Sequence, residues 1–211
     1  MRTNFVTAAQ FPEPLLPECA SVYMACFNGE PWNEAWTIAS ALERFSEAEK
    51  QGADFICACE AETGKVIGIA IGVPNGAPCF NEDSRAFLEE RNVPANAYYI
   101  ADVAVVQSAR GQHVGLELTK CLVSCAFKRQ REIGRRGYEA QAEGCLYGAQ
   151  LPLLPNLIQG DGIISRTLPT NDAMLAIFHN LKFRDIGVRP EETGGKVSDR
   201  VYLHHPTLLD W

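Results

Sequence analysis

The sequence has no apolar run that approaches the roughly 18 residues of a membrane-spanning helix. Its N-terminal segment also lacks the continuous apolar stretch of a secretory signal, so we expect a cytoplasmic protein with no membrane partner. None of the eight cysteines forms a CxxC pair. Several of them fall at core-facing or strand positions, namely Cys57, Cys59, Cys121 and Cys125. Reduced, buried thiols are therefore favoured over disulfides or a metal site.

Basic residues are outnumbered, with 19 Lys and Arg against 26 Asp and Glu and a net charge of −7. A general nucleic-acid-binding protein needs a basic surface, so we do not expect nucleic acid as a partner. A cationic small molecule suits this charge better. The one basic cluster is predicted at the C-terminal end of a helix, where it complements the helix dipole; it comprises Lys128, Arg129, Arg131, Arg135 and Arg136.

Length and composition indicate a single domain over residues 1–211, because 46% of the residues are apolar and 21% charged. Apolar periodicity and turn signals predict a mixed α+β sheet with helices on both faces. Helices are predicted at 17–27, from about 33 or 37 to 52, at 82–91, from 115 to about 134, and after Thr170 or Asn171. Strands are predicted near 54–61, 65–73, 98–106, 162–170, 183–188 and 199–204. Residues 137–162 have no clear period and are predicted to form an insertion.

One segment combines a strand, a glycine-containing loop and a helix: residues 103–123, VAVVQSARGQHVGLELTKCLV. The turn formers Gln107 and Ser108 end the strand, and Leu118 and Leu122 share the apolar face of the following helix. Unpaired N–H groups and the helix dipole at such a helix start favour an anion such as a phosphate. Alternatively, the arginine and glycines serve only the geometry of the turn.

Two motifs resemble those of the GNAT superfamily of acetyl-CoA-dependent N-acetyltransferases: YYIADVAVVQSARGQHVGLEL and the later TNDAMLAIFHNLKF. The resemblance covers about residues 15–205. The family's pyrophosphate loop has Arg or Gln, two residues, Gly, one residue, then Gly or Ala. Arg110 to Gly115 fill that pattern, with His113 in place of the first glycine. The resemblance implies the GNAT fold, a central mixed, mostly antiparallel twisted sheet of about six to seven strands flanked by helices on both faces.

The resemblance also implies acetyl-CoA as co-substrate. The strand backbone would pair with the pantetheine arm where the strand splays from its neighbour at a bulge. The N–H groups of the loop would hold the phosphates, and Arg110 would add charge. The implied cofactor-binding residues are Val103, Ala104, Val105, Arg110, Gly111, Gln112, His113, Val114, Gly115, Asn171 and Phe178.

The second motif departs from the family at two positions. Asn171 and Phe183 match, but Phe178 occupies the usual tyrosine position and Lys182 the usual glycine position. That tyrosine often protonates the leaving thiolate, and phenylalanine cannot donate a proton. Either another group is the acid or none is needed, because a thiol with a pKa of about 8.5 is a tolerable leaving group.

Transfer requires a neutral amine, whereas an amine with a pKa of about 10.4 is almost entirely protonated at neutral pH. A carboxylate near the thioester would accept the proton. Asp102 is the first candidate, because many family members carry Glu at that place, and Glu60 is the second. Alternatively, Asp102 is a structural carboxylate at the edge of the core and Glu60 a solvated hairpin end. The N–H of Val103 or Val105 would bind the oxyanion.

An aromatic and acidic pocket is predicted for the amine acceptor, with packing as the alternative role of each aromatic residue. Its candidate residues are Trp32, Glu34, Trp36, Tyr98, Tyr99 and Tyr147, with Glu30 and Glu143. The favoured function is acetylation of a small cationic amine by direct attack on the thioester. The alternatives are a protein or peptide amine, a catalytically impaired acyl-CoA sensor or interaction module, and an unrelated nucleotide-binding protein. A homodimer is expected from the family.

Overall fold

The computed structural model describes residues 2–146, 162–193 and 196–206. Seven strands form one sheet in the order β1-β2-β3-β4-β5-β7-β6. β4 and β5 run parallel, and every other neighbouring pair is antiparallel. The strands are β1 Thr3–Ala8, β2 Asp54–Glu60, β3 Val66–Val73, β4 Tyr98–Val105, β5 Ile163–Thr167, β6 Arg184–Thr193 and β7 Lys196–His205. The helices are α1 Leu16–Phe27, α2 Ile38–Lys50, α3 Glu82–Glu89, α4 Val114–Leu146 and α5 Asp172–Asn180.

The predicted fold class is confirmed, because helices cover both faces of this mixed, mostly antiparallel sheet. One core cluster joins α1, α2 and α3 to one face, and a second joins α4 and α5 to the other. β3 lies between the two clusters, and all eight of its residues are buried. This double burial explains why its sequence, VIGIAIGV, is continuously apolar rather than alternating.

The prediction missed β1, which pairs with β2 at the edge of the sheet from Thr3↔Glu60 to Ala8↔Phe55. None of its residues is fully buried. Backbone pairing to β2, rather than burial, therefore holds this strand in place, and it leaves little hydrophobic signal in the sequence. The two closing strands are also longer than predicted, because their ladder continues from Arg184↔His204 to Thr193↔Lys196.

The predicted end of α4 near residue 134 is wrong, because the helix continues to Leu146. The first ten residues of the predicted insertion, 137–146, are therefore helical, and residues 147–161 lie outside the described residues. The basic cluster is accordingly in the middle of α4 rather than at its C-terminal end. Arg129 donates to both carboxylate oxygens of Asp54, at 2.8 and 2.7 Å, and so ties α4 to β2.

In the part of the chain that the structure describes, no helix combines the length and apolar character needed to cross a bilayer. The seven cysteines whose side chains are described are free thiols. Cys19 and Cys57 approach each other in the core, with 3.5 Å between their sulfur atoms.

Candidate active site

The parallel strands β4 and β5 separate after only three paired positions, from Tyr98↔Ile163 to Ile100↔Ser165. The Ser165 hydroxyl closes the paired region by donating to the Ile100 carbonyl at 3.0 Å. Beyond Ile100, β4 continues to Val105 alongside β3. Within residues 2–146, 162–193 and 196–206, no strand pairs with the opposite edge of this half of β4, which faces α5 across a groove.

A bulge accompanies the separation. Ile71 of β3 pairs with Asp102, whereas its neighbour Gly72 pairs with Ile100, so Ala101 is the extra residue on β4. Further along, the N–H of Val106 donates to the Ile67 carbonyl at 3.0 Å. Because antiparallel ladders alternate, the main-chain groups of Val103 and Val105 turn away from β3, toward the open edge.

A cavity of about 370 Å³ and another of about 410 Å³ flank this half of β4. The larger, which we call the cofactor groove, runs between the end of β4, the start of α4 and α5. Nine of the predicted cofactor-binding residues line it: Val103, Ala104, Val105, Arg110, Gly111, His113, Val114, Gly115 and Asn171. Gln112 and Phe178 do not line it. The Gln112 amide instead donates to the Ser108 carbonyl at 3.0 Å.

The loop before α4 adopts the left-handed backbone conformation twice, at Gly111 with φ +75° and at His113 with φ +61°. His113 therefore keeps the conformation that glycine adopts most easily, at a cost of roughly 1–2 kcal/mol. The carbonyl of His113 accepts from the N–H of Glu117 at 3.0 Å, which starts the first turn of the helix. Replacing glycine by histidine thus leaves the turn intact.

The groove is narrow where Gly115 faces α5. A Cβ atom at Gly115 would lie 3.3 Å from Cδ1 of Ile177 and 3.7 Å from Cγ2 of Val105. The guanidinium of Arg110 closes the other side, where its Nε donates to the Val105 carbonyl at 3.2 Å. A slender molecule with a phosphate at the α4 N-terminus and main-chain partners on β4 fits these surfaces.

The second cavity, which we call the acceptor cavity, adjoins the groove. Five residues line both: Phe27, Trp32, Val103, Asn171 and Met174. The acceptor cavity itself is built from α1, the α1–α2 segment, α2, β4, β5, α5 and β7. The two cavities therefore meet at Val103, next to Asp102.

Four of the predicted acceptor residues line the acceptor cavity: Trp32, Glu34, Trp36 and Tyr99. The indole N–H of Trp36 donates to the Glu34 carboxylate at 2.5 Å, so these two side chains hold each other in place. Tyr98 lies on the other face of the sheet and donates to Asp54 at 3.0 Å. Glu30 lines the cofactor groove instead. Tyr147 and the side chain of Glu143 lie outside the described residues.

Asp102 lines the acceptor cavity, and 12% of its side chain is exposed. Arg44 donates to one of its oxygens at 2.9 Å, and the Tyr23 hydroxyl donates to the other at 3.4 Å. The charge of Asp102 is the main cause that raises the pKa of Arg44, so this guanidinium stays cationic. Burial, followed by the charge of Asp102, raises the pKa of Tyr23, so its hydroxyl keeps its proton.

Glu60, the second candidate base, lines neither cavity. It ends β2, and its carboxylate accepts from the Thr63 hydroxyl at 2.6 Å in the hairpin turn. The local spacing of the hairpin explains this position, because Thr63 follows Glu60 within a single tight turn. The structure therefore brings Asp102, and not Glu60, to the junction of the two cavities.

Sequence reasoning missed three arginines that line the acceptor cavity: Arg44, Arg166 and Arg200. Arg166 interrupts the otherwise buried strand β5, and Arg200 lies in the buried part of β7. A charged residue inside an apolar strand was the available signal, since such residues are rarely buried without a partner.

Asn171 and Phe178 of the second motif have structural roles that the distances define. The Asn171 side chain accepts from the N–H of Met174 at 3.4 Å and donates to the Thr167 hydroxyl at 3.1 Å, which caps α5. Phe178 is only 1% exposed and packs against Phe183 with 5.0 Å between ring centroids. Phe178 lines the acceptor cavity, where its side chain contributes an apolar ring and no hydroxyl.

The chain belongs to the acetyltransferase (GNAT) family, whose family model matches residues 16–140. It is accordingly an acyltransferase. Two of the solved structures that share its fold contain acetyl-CoA. A search of curated proteins found no match.

Solved structures share the fold at low sequence identity. An N-acetyltransferase from Staphylococcus aureus is 14% identical, with a TM-score of 0.59 and coverage of 98% of this chain and 99% of that one. A phosphinothricin acetyltransferase from Sinorhizobium meliloti, solved with acetyl-CoA, is 17% identical, with a TM-score of 0.61 and coverage of 98% and 89%. A ribosomal-protein-alanine N-acetyltransferase from Brucella melitensis is 14% identical, with a TM-score of 0.58 and coverage of 98% and 100%.

Proposed function

We propose that this protein transfers the acetyl group of acetyl-CoA to the primary amine of a small molecule by direct attack on the thioester. The observation that carries the proposal is the junction at Val103, where a groove suited to a slender phosphate-bearing molecule opens into a second cavity beside Asp102. When bound, acetyl-CoA supplies an acetyl thioester, whose carbonyl carbon bonds to the amine nitrogen as the carbon–sulfur bond breaks and coenzyme A leaves.

The residues proposed to hold acetyl-CoA divide into two groups. Val103 and Val105 offer main-chain donors and acceptors along the open edge of β4, and either N–H can donate to an oxygen at the junction. The N–H groups at the start of α4, from His113 to Gly115, favour phosphate together with the helix dipole. Arg110 adds a positive charge beside them.

Asp102 is proposed to accept the proton of the attacking amine, directly or through a water molecule. Arg44 and Tyr23 each hold one of its oxygens, which fixes the carboxylate beside the junction. No proton donor is proposed at Phe178. The thiol of coenzyme A is a tolerable leaving group, because its pKa is near the value of about 8.5 for a free cysteine.

A small-molecule acceptor is favoured over a protein amine by the cavity, whose volume of about 370 Å³ falls in the usual range for small ligands. The sequence alone favoured a cationic acceptor, on the basis of the net charge and of acidic and aromatic residues such as Glu34 and Trp36. Of the three arginines in the same cavity, Arg44 is paired with Asp102 and Arg166 with Glu191, so it is Arg200 that weighs against an acceptor that is only cationic.

The sensor alternative was motivated by His113 and Phe178. His113 retains the left-handed conformation that the loop requires, so only the missing tyrosine hydroxyl now favours that alternative. We also propose a single domain over residues 1–211, because strands from both ends of the chain share one sheet. A cytoplasmic location and a homodimer stay predictions, to be tested by cell fractionation and sedimentation.

The experiment is calorimetric titration of acetyl-CoA into the wild type and Gly115→Trp, followed by thiol release with a panel of amines. The indole of Gly115→Trp should block the groove between Val105 and Ile177 and weaken acetyl-CoA binding by at least about 100-fold. The matched control is Ser124→Trp, at an exposed position on the same helix. Binding without turnover on any amine would favour the sensor. Equal binding by the folded Gly115→Trp variant would contradict the proposed groove.

A further inference from the structure

The acceptor cavity carries opposite charges on its two sides. Glu34, Glu47 and Asp102 lie on the side formed by α2, the segment before it and β4, where Arg44 is already paired with Asp102. Arg166 and Arg200 come from the strands β5 and β7. An acceptor that fills the cavity would therefore contact an acidic and a basic region at once.

Arg166 has its own counter-charge within the fold. Its Nη1 lies 2.9 and 2.8 Å from the two oxygens of Glu191, a buried carboxylate. Glu191 also accepts from the Ser84 hydroxyl at 3.2 Å and from the Tyr202 hydroxyl. With these partners, most of the hydrogen-bonding capacity of Glu191 is already used.

Arg200 is not matched in this way. It is only 7% exposed, and its buried Nη1 has no hydrogen-bond partner among the described residues. Among the residues that the structure describes, no carboxylate forms an ion pair with Arg200. Its guanidinium instead stacks over the Trp32 ring, 4.8 Å from the centroid. Burial, followed by the charge of Arg166, lowers the pKa of Arg200, which reflects the cost of holding this cation here.

The two guanidiniums belong to one face of the sheet. Arg166 pairs with Tyr202 across the β5–β7 ladder, and Arg200 lies two residues from Tyr202, so it is the diagonal neighbour of Arg166. Within the described ranges, Glu191 is paired with Arg166 alone, so Arg200 leaves one positive charge at the wall of the cavity. A buried cation of this kind is costly unless a ligand or partner completes it.

We propose that the acceptor is an amine that also carries an anionic group, and that Arg200, with Arg166 beside it, binds that anion. The inference rests on the proposed function, because it assigns the substrate class of the same site. Planar guanidinium groups bind carboxylates and tetrahedral oxyanions through paired hydrogen bonds. With its anion at the basic side, the acceptor directs its amine toward Asp102 at the junction. Its class is therefore zwitterionic, of the amino-acid or aminoalkylphosphonate type.

The test compares acceptors that differ only in the anion: an amino acid with its decarboxylated amine, and an aminoalkylphosphonate with the corresponding alkylamine. With saturating acetyl-CoA, thiol release should give the wild type a kcat/KM about 10- to 100-fold higher for the anion-bearing member, as expected for a charge-assisted hydrogen bond. The carboxylate and phosphonate arms then distinguish a planar from a tetrahedral anion.

Arg200→Gln should remove that preference, because KM rises for the anion-bearing acceptor by about the 10- to 100-fold that separates the two amines and rises much less for the plain amine. Arg200→Lys keeps the positive charge and should retain part of the preference for the anion-bearing acceptor. The control is Arg189→Gln. Arg189 lies directly opposite Arg200 in the β6–β7 ladder, but its guanidinium forms an ion pair with Asp83 at 3.0 Å and lines neither cavity. Calorimetric acetyl-CoA affinity checks that each variant is folded.

A wild type that prefers the plain amine, or a preference that survives in Arg200→Gln, would overturn the inference. Absence of turnover on every amine would count against the proposed function instead. In that case, a binding measurement still decides the inference. Acceptor binding is measured by intrinsic tryptophan fluorescence, because Trp32 stacks on Arg200. Tighter binding of the anion-bearing amine that is lost in Arg200→Gln supports it, and equal binding by both proteins contradicts it.

Discussion

The cofactor groove and the acceptor cavity lie side by side on β4 but are built by different means. The groove is lined largely by apolar residues and glycines from two short stretches, 103–116 and 171–180, together with the end of α1 and the residues that follow it. Its loop depends on the left-handed backbone at Gly111 and His113. The acceptor cavity is lined by long polar and aromatic side chains from positions between Tyr23 and Arg200. Backbone geometry therefore defines one site and side-chain identity defines the other, so the two should respond differently to substitution.

The largest expected effect on activity is that of a substitution at Asp102, next to the junction of the two cavities. Asp102→Asn removes the proposed proton acceptor and should lower kcat by about 100- to 10,000-fold, the usual range for general base catalysis. Acetyl-CoA affinity should stay within about twofold, since Asp102 lines only the acceptor cavity. Stopped assays of thiol release and calorimetric titration measure the two quantities separately.

The pH dependence adds a second readout for the same variant. Without a base, the rate should depend on the small fraction of the amine that is neutral. This fraction increases as the pH approaches the amine pKa of about 10.4. The deficit of Asp102→Asn should therefore shrink as the pH increases. Glu60→Gln is the matched control and should behave like the wild type. A loss of activity in the control equal to that of Asp102→Asn would return Glu60 to the mechanism.

The contrast also explains what could be predicted from the sequence. The loop and the start of α4 follow from local spacing, because glycine, turn formers and helical periodicity act over a few residues. The bulge and separation of β4 required the family resemblance. The pairing of Arg44 with Asp102 joins residues 58 positions apart, and the position of Arg200 beside Arg166 depends on the register of β5 with β7. Such contacts leave no local pattern.

In two places along the chain, a tertiary contact outweighs the local sequence signal. β1 was missed because pairing to β2, a non-local interaction, stabilises an otherwise half-exposed segment. α4 was ended at residue 134 because glycine usually terminates helices, although each helical glycine costs only about 1 kcal/mol relative to alanine. The contact of Arg129 with Asp54 lies before that point and helps to hold the helix against the sheet.

A smaller effect is expected where a side chain acts through Asp102 rather than on the substrate. Tyr23→Phe deletes the hydroxyl that donates to Asp102 at 3.4 Å and leaves the ring, which packs edge-on against Trp36 at 4.9 Å. Loss of one such hydrogen bond should lower kcat by about 2- to 10-fold, with acetyl-CoA affinity unchanged. A kcat deficit as large as that of Asp102→Asn would instead assign Tyr23 a direct part in proton transfer.

The smallest expected effect tests whether the groove depends on backbone alone. His113→Gly retains the φ of +61° and relieves roughly 1–2 kcal/mol of steric cost, while the greater freedom of glycine in the unfolded chain offsets about 0.5–1 kcal/mol of it. The free energy of unfolding, measured by denaturant titration, should therefore rise by no more than about 1.5 kcal/mol, and acetyl-CoA affinity should stay within about twofold. His113→Val, whose branched side chain resists this conformation, should lower both. If glycine and valine weakened binding equally, the imidazole itself would contact the ligand, and this part of the groove would depend on side-chain identity as the acceptor cavity does.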